Sequence, residues 1–271
     1  MPRYLIGGVI ALLFLFPIVW TVLRSVQTAS TAEAGIGRGM VTGLTWSNYS
    51  ALQDSGVSLW TYGWNSALAA LGTTVLTTVV ATLAGYGFAR LSFPGANLVF
   101  VIVLMPFMVP LQGIITPLFT MMDAIGLTDN LIGLILIYTT FQLPFAIFVM
   151  RTSFRTIPPE LEESAMIDGL SFFGTLRRIL LPLVKPGMAT AALYAFIFAW
   201  NEFLGALIMI TSPDKLTLPV ALVNVQSGQF GQVDFGVLSA GATVATIPCL
   251  LAFLLLQRYY VNGLSAGAVK G

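Results

Sequence analysis

The sequence predicts an all-α integral membrane protein with six transmembrane helices, and three observations carry that prediction. Hydrophobic residues make up 57% of the 271 and charged residues only 8%, against about 25% charged in soluble domains. Such a chain has too little polar surface to coat a globule. Six stretches approach the roughly 20 mostly apolar residues that a helix needs to cross the hydrocarbon core, and Lys and Arg are shared unevenly between the segments that connect them, as a chain threaded through a bilayer requires.

The first span is expected over 4–23. Arg3 precedes it and Thr28, Ala29 and Ser30 follow, which are the flanks of a cleavable signal peptide. Its apolar run exceeds the roughly 7–15 residues of a signal core, however, and it is read as a retained span. The second, over 66–89, is rich in Thr, Ala and Gly and suited to close helix packing. Pro106, Pro110 and Pro117 lie in the third, over 98–122, which is expected to be kinked or broken. Gln142 and Pro144 interrupt the fourth, over 131–150, and the fifth and sixth run over 188–210 and 235–256.

Six spans put both ends on one side. With the amino terminus inside, Arg3, Arg90, Arg151, Arg155, Arg177, Arg178, Lys185, Arg258 and Lys270 fall inside, against Arg24, Arg38 and Lys215 outside. That bias predicts both termini in the cytoplasm.

Several chemistries are excluded. Acids and bases nearly cancel, at 11 and 12, so no net field is aimed at nucleic acid. Histidine is absent, which removes Ser-His chemistry and histidine-bound zinc. The single cysteine, Cys249, in the apolar run 247–251, permits no intrachain disulfide and no metal-type spacing. No G-x-x-x-x-G-K-[ST] pattern occurs either, so any nucleotide is bound elsewhere.

The segment between the fourth and fifth spans is the one stretch built for water, holding nine of the 23 charged residues between Arg151 and Lys185. Pro158 and Pro159 suit a helix start, and Glu160, Glu162 and Glu163 then occupy its first turn, where the helix dipole favours carboxylates. Gly169 suits its end. A second amphipathic helix should follow, with Phe172, Phe173, Leu176, Ile179 and Leu180 near one face and Pro182 ending it. From composition alone this is either a compact two-helix lever or a loop resting on the headgroups. Two outer segments, 25–62 with Trp46, Trp60 and Tyr62, and 211–234 with a polar Gln/Gly/Ser run, are long enough to have structure of their own.

Spacing within the charged segment is specific. Glu163-Ser164-Ala165, three residues, Gly169, nine residues, then Ile179-Leu180-Leu181-Pro182 resembles the EAA loop of binding-protein-dependent ABC importer permeases, Glu-Ala-Ala-x3-Gly-x9-Ile-x-Leu-Pro. Ser164 for the first alanine is the only departure at a fixed position. Shorter stretches extend the resemblance from about residue 63 to the end: AGYGFAR at 84–90 with Phe93-Pro94-Gly95, Trp200-Asn201-Glu202-Phe203, Leu216-Thr217-Leu218-Pro219-Val220, and GLSAGAVKG at 263–271. In that order they resemble the carbohydrate-uptake branch, and within it the smaller maltose-importer permease.

The resemblance implies a type I ABC importer permease architecture in a bacterial inner membrane. It divides the chain into 1–62 (first span and outer segment), 63–260 (five helices with a coupling loop at 151–187) and a cytoplasmic tail at 261–271. It implies that Glu163, Ser164, Ala165, Gly169, Ile179, Leu181 and Pro182 form a coupling-helix region docked on an ATP-binding subunit, with Glu163, Ala165 and Gly169 as the contact core. It also implies that Leu216, Thr217, Leu218 and Pro219 meet an extracytoplasmic solute-binding protein and that the tail near Lys270 meets the ATPase. The expected assembly adds a second, homologous permease and two ATPase copies. No cofactor or metal is expected on this chain, since ATP and Mg belong to the partner. Maltose-like oligosaccharides, trehalose, amino sugars and glycerophospho compounds all fit the branch.

Glu202 is the one acid within an expected span, and a charge near mid-bilayer costs roughly 2.5–3.5 kcal/mol. It lies about 14 residues from the inner end, or about 21 Å along a helix. Tyr194, Phe198, Asn201, Glu202 and Gly205 share a helical face. Carboxylate, amide and rings together suit a sugar, whose hydroxyls want hydrogen bonds and whose C–H faces stack; a structural Glu202 tied to another helix is the alternative. Gln112, Thr116 and Gln142, beside prolines, either line a pathway or satisfy freed backbone groups. A stand-alone ion-coupled transporter would also explain broken helices and a membrane carboxylate, but not the EAA-like spacing. A membrane-embedded enzyme would need paired acids, bases or ligands that the spans lack.

Overall fold

The computed structural model describes residues 2–28, 43–54, 58–227 and 234–268. Among them the chain is helical, with no strand beyond one isolated bridge between Gln27 and Leu44. Arg38, Lys270 and the polar run at 228–233 lie outside the described residues. Four helices are long and apolar enough to cross a membrane, and two further pairs pass the same criterion as bent pairs. Counting each bent pair once gives the expected six.

The chain divides into two compact units, Met1–Asn65 with Pro213–Pro248, and Ser66–Ser212 with Cys249–Gly271. In the first unit, α1 (Pro2–Ser25) carries Tyr4, Leu12 and Phe14 fully outward, so its apolar surface is available to lipid or to another chain. Helix α2 (Ser47–Asp54) closes on the end of α1 through Asn48, whose Nδ2 donates to the Ser25 and Gln27 carbonyls at 2.9 and 2.8 Å. Asn65, near the start of α3 (Leu59–Arg90), donates likewise to the Asp214 and Leu216 carbonyls at 2.8 and 3.0 Å.

The second unit holds the charged segment between the fourth and fifth spans. After α3 come α4 (Ala96–Leu104), a 3-10 turn (Met105–Met108) and α5 (Leu111–Ala124), bent by 102° where Pro106 and Pro110 remove backbone donors. The third span is thus broken, as its prolines predict. Helix α6 (Leu131–Arg155) starts at Asn130, whose side chain accepts from the Ile132 N–H at 2.9 Å. It runs through Pro144 unbroken and is the central element, with half of its most apolar window buried. Its close neighbours pass it at glycines: a Cβ on Gly85 of α3 would meet Met150 Cβ at 2.5 Å, and one on Gly187 would collide with Ser153.

Beyond α6 lie α7 (Glu160–Ile167), α8 (Phe172–Thr175), a π-turn (Leu176–Leu180), α9 (Leu181–Leu183), α10 (Lys185–Asn201) and α11 (Leu204–Met209). The second helical run of the charged segment, Phe172–Leu183, ends one residue past Pro182, and the chain turns there by 73° at Val184. One expectation is corrected here. The fifth span is not one helix over 188–210, because Glu202 takes an extended conformation (φ −69°, ψ 129°) between α10 and α11. Tyr194 to Gly205 therefore do not form one continuous helical face. Helix α12 (Leu218–Gln226) and α13 (Phe235–Ala268) complete the chain, and α13 runs past the expected end at 256 into the segment read as a tail.

Candidate functional site

The charged segment of the second unit forms as the local sequence dictates. Pro159 caps α7, and Glu160, Glu162 and Glu163 occupy its first turn. Gly169 adopts φ 84°, with its N–H donating to the Met166 carbonyl and the Leu170 N–H to the Ala165 carbonyl, both at 3.0 Å. This is the Schellman ending that a left-handed glycine allows. Ser171 then caps α8 by accepting from the Gly174 N–H.

What spacing did not reveal is how α7 divides into faces. Glu162 and Ala165, one turn apart, are buried at 9% and 3% exposure, whereas Glu163, Ser164 and Gly169 face outward with Leu161, Met166 and Ile167. Ile167 is 85% exposed. Ala165, expected in a contact core, is instead buried within its own chain. The second motif half divides into faces as well. Leu176, Leu180 and Val184 are the buried residues, at four-residue spacing, in a cluster with Phe154 and Met150 of α6; Ile179 and Leu181 are half-buried and Pro182 is exposed.

Glu162 meets Arg90, the last residue of α3, with Oε1 2.5 Å from Nε, as an ion pair more than an aligned hydrogen bond. The Tyr86 hydroxyl, one turn earlier, donates to Glu162 Oε2 at 3.3 Å, and Arg90 Nη2 donates to the Ile157 carbonyl at 2.6 Å. The Tyr86 ring packs edge-on against Phe154 and Phe172, each at 5.3 Å.

Toward the other end of α10, Glu202 is held by neutral donors. Its Oε2 accepts from the Tyr138 hydroxyl at 2.6 Å and from the Gly205 and Ala206 N–H groups at 2.9 and 3.4 Å, while Oε1 accepts from Gly205 N–H at 3.0 Å. The carboxylate thereby restarts the helix as α11, the structural alternative among the two sequence readings. Asn201 donates to the Ile197 carbonyl at 2.7 Å and to Cys249 Sγ at 3.5 Å.

Rings link the broken elements beside it: Phe107 with Phe145 at 6.2 Å, Phe145 with Tyr194 at 4.2 Å, and Tyr138 with Phe198 at 5.9 Å. Phe107 and Phe145 were not singled out in the sequence, since an aromatic in an apolar run carries no local signal. Gln112 and Thr116 are exposed on α5, and Gln142 is buried in α6 with Oε1 unpaired.

In the segment that follows α11, Thr217 and Leu218 are buried, at 3% and 1%, and Leu216 and Pro219 are half-buried. Just before them Pro213 and Asp214 are exposed. Among the described residues no group of three acids or cysteines is placed to hold a metal.

Comparison with known proteins agrees across nearly the whole chain. The family model described as "Binding-protein-dependent transport system inner membrane component" matches residues 78–265. The trehalose transport system permease protein SugB of Mycobacterium tuberculosis is 39% identical, covering 95% of this chain and 93% of that protein. The arabinooligosaccharides transport system permease protein AraQ of Bacillus subtilis is 34% identical (97% and 92%), and the trehalose/maltose transport system permease protein MalG of Thermococcus litoralis is 34% identical (98% and 96%). A crystal structure of a bacterial ABC transporter involved in the import of the acidic polysaccharide alginate contains a chain of the same fold, with a TM-score of 0.79 at 22% identity over 95% of both chains.

Proposed function

The chain belongs to the family of binding-protein-dependent transport system inner membrane components, and from that premise we propose that it forms half of the translocation pathway of an ATP-driven importer for a sugar or sugar-like solute. It is a multi-pass membrane permease and not an enzyme. The relatives named for trehalose, arabinooligosaccharides and maltose support the solute class.

The observation that carries the reading is the outward face of α7. A short helix that exposes Leu161, Met166 and Ile167 beside Glu163 presents an apolar patch with an acid at its edge, the pattern of a surface that another protein covers. An ATP-binding subunit is the partner, present in two copies with ATP and Mg bound there. Glu163, Ser164 and Gly169 make the contact, while Ile179, Leu181 and Pro182 shape the turn behind it. Both termini are cytoplasmic, in keeping with the charge bias. A second, homologous permease supplies the other half of the pathway, and a solute-binding protein docks outside, at Pro213 and Asp214 with the half-buried Leu216 and Pro219. Within the membrane, Tyr194 and Phe198, with Phe107 and Phe145, offer ring faces to sugar C–H groups, and the exposed Gln112 and Thr116 offer hydrogen bonds. Asn201 and Glu202 shape the site from behind, through the helix break.

Affinity purification of the tagged chain from its native membrane, with mass-spectrometric identification of bound chains, tests the assembly. Recovery of a Walker-motif ATPase and a second permease is expected, together with ATP hydrolysis that Glu163→Ala uncouples from uptake. A chain that purifies alone and transports in liposomes without ATP would overturn the reading.

A further inference from the structure

Helix α7 is weakly rooted in the apolar core. None of its side chains belongs to the buried apolar cluster formed by α3, α4, α6 and the segments from Leu176 to Ala191, and three of its large apolar residues point outward. Yet a lever must be fixed to what it moves. Among the described residues, the polar side-chain ties from α7 to a membrane helix are the Arg90–Glu162 ion pair and the Tyr86–Glu162 hydrogen bond.

Both come from the last two turns of α3, and the side chains of Arg90 and Glu162 are 15% and 11% exposed. The planar guanidinium engages two points at once. Nε meets Glu162 in α7 while Nη2 holds the Ile157 carbonyl, on the connection leading into α7. A lysine ammonium keeps the charge but has no such fork. Shielding from water keeps the pair from being screened as a surface pair is.

We propose that Arg90 and Glu162, braced by Tyr86 and the Ile157 carbonyl, form the rigid joint that makes α7 and α3 move as one body, so that displacement of the exposed face of α7 is delivered to a membrane helix. Glu163 then meets the partner, and its neighbour Glu162 transmits. Both Arg90 and Glu162 are positioning residues, since neither touches solute. The inference rests on the reading of α7 as the ATPase-docking element.

The test is a pulsed electron resonance distance between spin labels on Gly87→Cys in α3, where an added side chain meets open space, and on the exposed Asp168→Cys at the end of α7, with Cys249 replaced by Ala. It is measured in the full importer, free of nucleotide and trapped with ATP and vanadate. With the native joint, one narrow distance should persist in both states. Arg90→Gln and Arg90→Lys should broaden or shift it on trapping and lower ATP-coupled activity by about tenfold. A distance in assembled Arg90→Gln complexes that stays as narrow as the native one would overturn the joint. If the native chain fails to assemble with an ATPase, the docking reading fails instead, and the joint with it.

Discussion

Glu162 and Glu202 are both carboxylates that a hydropathy profile would count as liabilities, and the protein handles them in opposite ways. Glu162 faces a guanidinium, and its partner sits 72 residues earlier at the end of another helix. Among the described residues no cation pairs with Glu202; a phenol and two peptide N–H groups share its oxygens, and two of those three donors lie within four residues. The first arrangement ties two elements together. The second interrupts one span and restarts it. Charge balanced by charge makes a joint, whereas charge balanced by backbone dipoles makes a break.

That contrast can be broken most severely at the joint. Removing Glu162 as Glu162→Ala leaves Arg90 as an unpaired, largely buried cation, and about 3–5 kcal/mol should be lost; thermal unfolding of the detergent-purified chain, with Glu163→Ala as the exposed control, should show a drop only for the former. At the break, Glu202→Gln keeps one acceptor but turns an amide N–H₂ toward donors, so about 2 kcal/mol is expected. Its midpoint should fall by less than that of Glu162→Ala, and a larger fall would mean that Glu202 carries an ionic role absent from its contacts.

Tyr138→Phe sharpens the same comparison, because it removes a 2.6 Å bond to a carboxylate and should cost about 1.5 kcal/mol. Tyr86→Phe removes only a 3.3 Å bond beside an intact ion pair. It should cost about 0.5 kcal/mol, and hydrogen exchange at the α7 amides, compared between the two tyrosine variants, should rise only slightly.

Much of this was legible before any fold was seen. The Schellman turn at Gly169 and the acidic first turn of α7 appeared as the spacing implied, since both are decided within a few residues. The break near Pro106 and Pro110 was equally local. Pro144 was not: the same residue type leaves α6 unbroken, because its neighbours bury that helix and hold its course. Ala165 and Leu218, assigned to contact surfaces by motif, turned out buried, since a motif records which residues recur and not which way they face.

Sequence by itself determined the membrane class, the number of spans, the charged segment between the fourth and fifth of them and the position of the glycine turn that ends α7, because hydropathy, proline and glycine act along the chain within a turn or two. Tertiary structure alone decided that Glu162 and not Glu163 turns inward, that Arg90 is its partner, and that Glu202 caps a helix. Those outcomes depend on where a side chain 64 or 72 residues away comes to rest, and only packing of the helices sets that distance.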